Sequence, residues 1–324
     1  MSKLLQRLFD SKYDVYISIF NFRKFYQNIL IKGIKYLTEK ILHSLVHRSG
    51  VLIDIRNLEL KSKFEIASSK SKFETDSFIH EIVKMTVGVP LKMIGNLRID
   101  GSYPVVINKH LKNTRVISIG VGNNIVFDEG MASSGASVWM YDHTTKPKIK
   151  NKYKSRLFYS PMGVRGGLPI KNCLPLNKIL DSSNNGSTYN QTILKMDCEG
   201  IEWDVFLSTP IKVIETIDQI LVEFHNLDKI FELKYYKKYI KVLEKLNKKF
   251  VITYIAVNNF TPTIKLNDGI NWPFTIEIHL LNKELLKKFN HNQITPRIPN
   301  NLGFAKKNWH LSPARNLSGW YRSQ

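Results

Sequence analysis

The densest group of chemically reactive side chains lies in residues 194–203, which read LKMDCEGIEW. If residues 191–197 form a strand, its alternation places Lys195 and Asp197 on one face, and Glu199 continues that face beyond the strand end. Carboxylates and an ammonium group are costly to bury unless they are paired or used in a site. We therefore expect this strand end to border a cleft, with a salt-bridged structural corner as the alternative.

A second polar strand end occurs at residues 220–225, ILVEFH, where Glu223 and His225 share a face. Because the carboxyl ends of parallel strands meet at the same edge of a sheet, both polar ends would border one crevice. We predict that the catalytic groups are Asp197, Glu199, Glu223 and His225. Histidine suits a proton acceptor near neutral pH, since its unperturbed pKa is about 6.5, but a core or capping role suits it equally.

The same side chains raise the question of a metal ion. Asp197, Glu199 and His225 could together hold a divalent ion that orients an acceptor diol, because carboxylates and imidazole are common ligands of such ions. They lack the firm spacing of a metal-binding motif. The sequence therefore assigns no metal.

A glycine turn follows the first predicted strand of the sheet. Residues 115–119 run into Gly120 and Gly122, and glycines at such a turn let the backbone approach a ligand at the carboxyl end of the strand. Ile125 stands where a dinucleotide-binding fingerprint requires its third glycine. This disfavours a pyrophosphate, and with it a NAD-type oxidoreductase. A plain tight turn between strand and helix is the alternative.

An acidic residue, Asp142, ends the next predicted strand, 20 residues after Gly122. A carboxylate at this position can accept hydrogen bonds from both hydroxyls of an adenosine ribose, and its alternative role is to cap the following turn. We predict a nucleoside-containing cofactor. Its predicted binding residues are Gly120, Gly122, Asn123, Asp142, Met162 and Asp197.

These residues need a sheet to position them, and the hydrophobic pattern supplies one from Arg115 onward. Strands are predicted at 115–121, 137–142, 156–161, 191–197, 218–225, 249–257 and 274–281, and helices at 127–135, 175–182, 202–208 and 228–247. Such alternation predicts an α/β fold with a doubly wound, seven-stranded sheet. The last two strands lack a long helix between them, which suits an antiparallel edge strand.

The flanking segments differ in composition from this central domain, which we place at residues 91–289. Residues 1–90 combine apolar residues at helical spacing with many basic residues, which predicts a basic helical N-terminal extension. Residues 290–324 contain several prolines and show no clear period. We expect an irregular C-terminal tail there.

The chain of 324 residues has 48 Lys and Arg against 27 Asp and Glu, a formal net charge of +21. This charge favours acidic partners such as nucleic acid, anionic glycans or a membrane surface, but compositional bias towards exposed lysines explains it as well. Lysines around Tyr153, in residues 146–156, give the nucleic-acid interpretation its best support. A nucleic-acid-binding or scaffold protein with an inactive fold is therefore the alternative class.

The sequence also bears on location. No run of about 18 apolar residues occurs, so no transmembrane segment is predicted, which leaves peripheral membrane contact open. Cys173 and Cys198 are the only cysteines, and such sparse cysteine favours a reducing compartment. We expect the protein to be cytoplasmic.

Three blocks together resemble the FkbM-type methyltransferases and the related methyltransferase-like proteins of animals. They are SIGVG at 118–122, KMDCEGIE at 195–202 and VEFH at 222–225. Residues 94–96 and 100–103, which read IGN and DGSY, resemble a block that precedes the first strand in some of these relatives. The similarity spans 95–285. It implies a Rossmann-like methyltransferase fold, S-adenosylmethionine as the cofactor, and hydroxyl groups of sugars, glycans or natural products as acceptors.

Overall fold

The computed structural model describes residues 71–95, 101–106, 111–184, 186–258, 263–265 and 271–289. The chain divides into two compact units, Met1–Ala67 and Ser68–Gln324, and every described residue belongs to the second. The predicted helices within residues 1–70 and the predicted irregular tail lie outside the described residues, as do Asn96 and Asp100.

The strands and helices follow the sequence pattern closely. In chain order the strands are Lys92–Ile94 (β1), Tyr103–Val105 (β2), Thr114–Ile119 (β3), Ser137–Tyr141 (β4), Leu157–Ser160 (β5), Gly163–Arg165 (β6), Cys173–Pro175 (β7), Gln191–Met196 (β8), Gln219–Phe224 (β9), Phe250–Val257 (β10), Thr263–Lys265 (β11), Asn271–Pro273 (β12) and Ile276–Asn282 (β13). The α-helices are Ser71–Met85 (α1), Val126–Ser133 (α2), Leu176–Ser182 (α3), Glu202–Ser208 (α4), Ile211–Ile214 (α5), Leu233–Asn247 (α6) and Lys283–Leu286 (α7). Among the described residues, no helix is long and apolar enough to cross a membrane.

Seven of these strands form the central sheet, in the order β10-β13-β9-β8-β3-β4-β5. Strand β3 pairs in parallel with β4 and β8, and the parallel pairing extends to β5 on one side and β9 on the other. The chain thus builds outward from β3 in both directions. The prediction of a doubly wound, seven-stranded α/β sheet is confirmed.

The predicted antiparallel pair at one edge of the sheet is confirmed, and the structure shows which of its two strands is outermost. Strand β13 is antiparallel to both β9 and β10, and it lies between them. The edge strand is β10. The absence of a long helix between β10 and β13 requires them to be antiparallel neighbours, but it does not decide which of the two lies outside.

One hydrophobic core cluster packs α2 against strands of the sheet. Phe127 and Met131 of α2 belong to this cluster together with buried residues of β3 and β4, among them Val116, Val138 and Met140. Helix α6 also buries one face, with Tyr239, Val242, Leu243 and Leu246 at helical spacing. The predicted helix at 228–247 is divided, since Glu232 is extended between a 3₁₀ turn, Leu227–Phe231, and α6.

Helix α1 belongs to the central domain, although its composition places it with the N-terminal extension. Phe78 is fully buried, with its ring centroid 6.2 Å from that of Trp203 and 5.6 Å from that of Trp272. Tyr236 of α6 donates a hydrogen bond of 3.0 Å to Ser77. We therefore place the domain boundary before Ser71 rather than at residue 90.

Candidate active site

A cleft of about 460 Å³ opens at the carboxyl ends of β3, β4 and β8. It lies at the topological switch point of the sheet, between β3 and β8, where open α/β sheets bind their ligands. Its volume falls in the range of small-molecule sites, about 300 to 1,000 Å³. The wall includes six predicted site residues, Gly120, Gly122, Asn123, Asp142, Asp197 and Glu199.

The two glycines of the turn after β3 serve different purposes. Gly120 has a φ of +73°, and a Cβ built there would overlap the carbonyl oxygen of Asp197, so only glycine lets β3 and β8 end so close together. Gly122 has a φ of +55°, and a Cβ there would meet no atom within 4 Å. The backbone at Gly122 therefore leaves open space in the wall of the cleft.

The carboxylate of Asp142 holds this turn in place. Its Oδ2 accepts a hydrogen bond of 2.8 Å from the backbone of Gly122. Its Oδ1 accepts three more, from the backbone and hydroxyl of Thr144 and from the backbone of Thr145. Burial alone would raise the pKa of Asp142, but these hydrogen bonds outweigh burial and lower it. Since Oδ1 is fully used, Asp142 has acceptor capacity left for one ribose hydroxyl, on Oδ2, rather than for two.

Lys195 is buried beneath the turn, and neighbouring carboxylates balance its positive charge. Its Nζ donates to the carbonyl of Gly120 at 2.7 Å and lies 3.4 Å from Oδ2 of Asp197. Burial would lower the pKa of Lys195, but the charges of Asp197 and Asp128 outweigh it and raise the pKa. The strand alternation that placed Lys195 beside Asp197 is thus confirmed.

Asp128 is a wall residue that the sequence analysis missed. It lies in the first turn of α2 and is buried, and burial raises its pKa although the charge of Lys195 opposes the rise. An acidic residue in the first turn of a helix is common, because it complements the helix dipole. Only the packing of α2 against the cleft distinguishes Asp128 from such a residue.

The described wall of the cleft is strongly acidic. It contains four carboxylates, Asp128, Asp142, Asp197 and Glu199, and Lys195 is its only lysine or arginine. The negative charge of these carboxylates favours a cationic ligand over one that carries phosphates.

Ile125, at the position of the missing glycine, is buried in the hydrophobic core beside α2.

His225, after β9, lies among carboxylates from both polar strand ends. Its Nδ1 is 3.1 Å from Oε1 of Glu202. Its Nε2 lies 3.6 Å from Oε2 of Glu199, 3.6 Å from Oε1 of Glu223 and 3.9 Å from Oδ1 of Asp197. The structure therefore brings together all four residues that the sequence predicted as catalytic.

The electrostatics of this group alter the expected role of the histidine. Burial would lower the pKa of His225, but the hydrogen bond and charge of Glu202, together with the other carboxylates, raise it to about 9. Burial and the like charge of Asp197 raise the pKa of Glu223 to about 7. With only protein neighbours, this raised pKa favours the protonated form of His225 near neutral pH. It therefore favours an orienting role for the histidine over the predicted role of proton acceptor.

Glu202 is a second residue whose role the sequence analysis did not identify. It is fully buried in the first turn of α4, and its Oε1 also accepts hydrogen bonds from the backbone of Cys198 at 2.8 Å and of Gly200 at 3.2 Å. Trp203 donates from Nε1 to the carbonyl of His225 at 2.8 Å. These bonds join the end of β8, the start of α4 and the end of β9.

The described structure does not support two of the sequence-based expectations, those for Met162 and Tyr153. Met162 is half-buried and is not part of the wall of the cleft, whereas the next two residues, Gly163 and Val164, are. The ring of Tyr153 packs against the hydrophobic core cluster, and its hydroxyl accepts a hydrogen bond of 2.9 Å from Ser133. Tyr153 is thus not presented for base stacking, which weakens the nucleic-acid interpretation.

The order of the sheet, its antiparallel strand next to the edge and the cleft at the switch point together define a Rossmann-like methyltransferase fold.

No family profile matches the chain, and no curated protein matches it in sequence. Several solved structures do match. An S-adenosylmethionine-dependent methyltransferase of Agrobacterium tumefaciens is 10% identical over 54% of this chain and 57% of its own, with a TM-score of 0.29. The precorrin-6y C5,15-methyltransferase of Geobacter metallireducens is 9% identical over 53% of this chain and 82% of its own, with a TM-score of 0.28. The fibrillarin pre-rRNA processing protein of Methanococcus jannaschii is 8% identical over 59% of this chain and 82% of its own, with a TM-score of 0.29.

The chain spans only 48% to 61% of the length of three of the matching structures. At these identities the likeness concerns the fold alone.

Proposed function

We propose that the chain is an S-adenosylmethionine-dependent methyltransferase that methylates a hydroxyl group on a sugar, a glycan or a small natural product. The observation that carries the proposal is the acidic cleft around the glycine turn, at the switch point of the sheet. The resemblance of the three sequence blocks to FkbM-type enzymes supports the same cofactor and this class of acceptor.

The described residues fit this cofactor in shape and charge. Gly122 leaves room beside the backbone, and Asn123 and Asp142 would hold the adenosine portion from the turn and from the end of β4. The carboxylates of the wall, including Asp128 and Asp197, suit a ligand that carries a positive sulfonium. A dinucleotide would instead bring its phosphates against these carboxylates, with Lys195 already paired.

Methyl transfer requires little of the protein beyond alignment of the reactants and a proton acceptor. The cofactor supplies an activated methyl group on a good leaving group. Asp197 lines the cleft, its Oδ1 lies 3.9 Å from Nε2 of His225, and its Oδ2 accepts a hydrogen bond of 3.3 Å from Tyr103. We assign Asp197 as the group that receives the proton of the acceptor hydroxyl as its oxygen attacks. Glu223 and His225, which lie outside the wall of the cleft, orient Asp197 and the acceptor.

The charge of the wall also bears on the acceptor. A polyanion such as nucleic acid would meet the same carboxylates, whereas a neutral hydroxyl compound would not. Ile170 adds a partly exposed apolar side chain to the wall, and Leu168 close by in the chain is 80% exposed. These features support a neutral acceptor with some apolar surface.

Calorimetry with S-adenosylmethionine and S-adenosylhomocysteine, beside NAD as a control, tests the proposal. We expect the first two to bind and NAD to give no heat. The variant Gly122→Leu, which fills the open space at the turn, should abolish binding while the protein remains folded. Absence of both heat and thermal shift with either sulfur ligand, or tighter binding of NAD, would refute the proposal.

A further inference from the structure

The side chains of Asp197, Glu223 and His225 form a compact set of metal-binding groups at the edge of the cleft. One ligand atom from each lies within 4.8 Å of the other two. At bond lengths of about 2.0 to 2.3 Å, the ligands of one cation lie about 3 to 4.5 Å apart. Small rotations of these side chains would therefore bring all three atoms onto one ion.

The histidine is already held in the orientation that a metal ligand needs. Glu202 contacts Nδ1 of His225, which leaves Nε2 directed at the carboxylates. In metal sites the second ring nitrogen of a ligating histidine usually donates to a carboxylate in this way. Glu202 is in turn fixed by two backbone N–H groups, from Cys198 and Gly200.

The carboxylate of Glu202 provides an independent indication of a ligand. Its side chain is fully buried against His225, and its Oε2 has no hydrogen-bond partner among the described residues. Glu223 is also largely buried, at 8% exposed, and its Oε1 accepts a hydrogen bond of 2.6 Å from Asn258. A buried carboxylate oxygen without a partner is costly, and a cation bound by His225 would offset its charge.

The local charge points the same way. Among the described residues, the carboxylates of Asp197, Glu199, Glu202 and Glu223 form ion pairs with only two cationic side chains, Lys195 and His225. Lys195 contacts Asp197 alone among these carboxylates. The cluster therefore has an excess of negative charge in a partly buried setting, which a bound divalent cation would offset.

We propose that Asp197, Glu223 and His225 bind one divalent transition-metal cation of the Mn²⁺ type. Oxygen ligands alone would suit Mg²⁺ or Ca²⁺, but the imidazole shifts the preference towards a first-row transition ion. Three protein ligands leave coordination positions for water or an acceptor oxygen. Cation binding stands apart from methyl transfer; only the use of these open positions by an acceptor rests on the proposed function.

Electron paramagnetic resonance with Mn²⁺ alone and the full chain tests the site. We expect one bound Mn²⁺ per chain, with electron spin echo modulation from one imidazole nitrogen. His225→Gln should remove the nitrogen signal, and Glu223→Gln and Asp197→Asn should each weaken binding at least tenfold. Glu202→Gln, which releases the histidine, should weaken it by about 10- to 100-fold. The control Glu232→Gln, an exposed carboxylate elsewhere, should bind as the wild type does.

The nitrogen signal is measured on the wild type, so the test does not depend on every variant folding. Bound Mn²⁺ without nitrogen coupling, or displacement by Mg²⁺ at equal concentration, would overturn the assignment of His225. No binding by the wild type would overturn the site altogether. Titrating the same samples with S-adenosylhomocysteine separates the two proposals, because a chain that binds this ligand but not Mn²⁺ refutes only the cation site.

Discussion

Nδ1 of His225 lies 3.1 Å from Oε1 of Glu202, and this contact between residues 23 apart in the chain links the end of β9 to the first turn of α4. The same carboxylate oxygen accepts hydrogen bonds from two backbone N–H groups in the turn after β8. The turn, the first residues of α4 and the end of β9 therefore hold one another in place. In the proposed reaction, this network would hold Asp197 and His225 in place beside the cleft.

The first prediction concerns Asp197 and His225 in catalysis. Asp197→Asn and His225→Ala should each lower turnover of an identified hydroxyl acceptor by roughly 10² to 10⁴, the usual range for a positioned acid or base. Affinity of His225→Ala for S-adenosylhomocysteine should change little, which calorimetry would check. The control His80→Ala alters an exposed histidine on α1. Full turnover by both active-site variants would show that the site is misplaced.

Asp142 is predicted to be required for cofactor affinity. Asp142→Ala removes both the acceptor for a ribose hydroxyl and the anchor of the turn at Gly122, so affinity should fall about ten- to hundredfold. Thr144→Val removes only one of the donors to Oδ1 and should cost much less. Calorimetry with S-adenosylhomocysteine measures both, and equal affinity of Asp142→Ala and the wild type would exclude a cofactor contact here.

A pH dependence of stability is expected from His279 in β13. The residue is fully buried, its Nε2 lies 3.0 Å from Oε1 of Gln219, and Thr253 contacts Nδ1. Burial lowers the pKa of His279 to about 3. The unfolded chain therefore takes up this proton first, so stability is complete above pH 6.5 and declines as the pH falls towards 3.

Between pH 7.5 and pH 5 this one group should cost about 2 kcal/mol of the free energy of unfolding. Urea denaturation at both pH values measures it. His279→Gln should show a dependence on pH that is smaller by that amount, although its stability at pH 7.5 is lower. An unchanged difference between the two pH values would mean that His279 titrates normally in the fold.

The last prediction concerns the domain boundary. A chain that begins at Ser68 should fold and bind S-adenosylhomocysteine as the full chain does. A chain that begins at Val89 lacks Phe78, and the loss of a single buried aromatic side chain costs about 3 to 5 kcal/mol. The shorter chain should therefore have a markedly lower Tm in a thermal melt. Equal Tm values for the two chains would return the boundary to residue 90.

The sequence by itself determined the features that depend on neighbours along the chain. The alternation of β-branched runs and helical segments specified the seven strands, because period is a local property. Gly120, Gly122 and Asp142 could be assigned to the cleft because each lies in the turn that follows a strand. The acidic strand ends at Asp197 and Glu223 were found for the same reason.

Tertiary structure decided what depends on residues distant in sequence. The position of β13 inside β10, the place of α1 in the domain and the exclusion of Met162 from the wall all follow from packing. Against the effect of burial, Glu202 raises the pKa of His225, because a buried carboxylate acts strongly in a poorly solvated site. Burial and the approach of charges depend on which elements pack together, and no local pattern of residues specifies them.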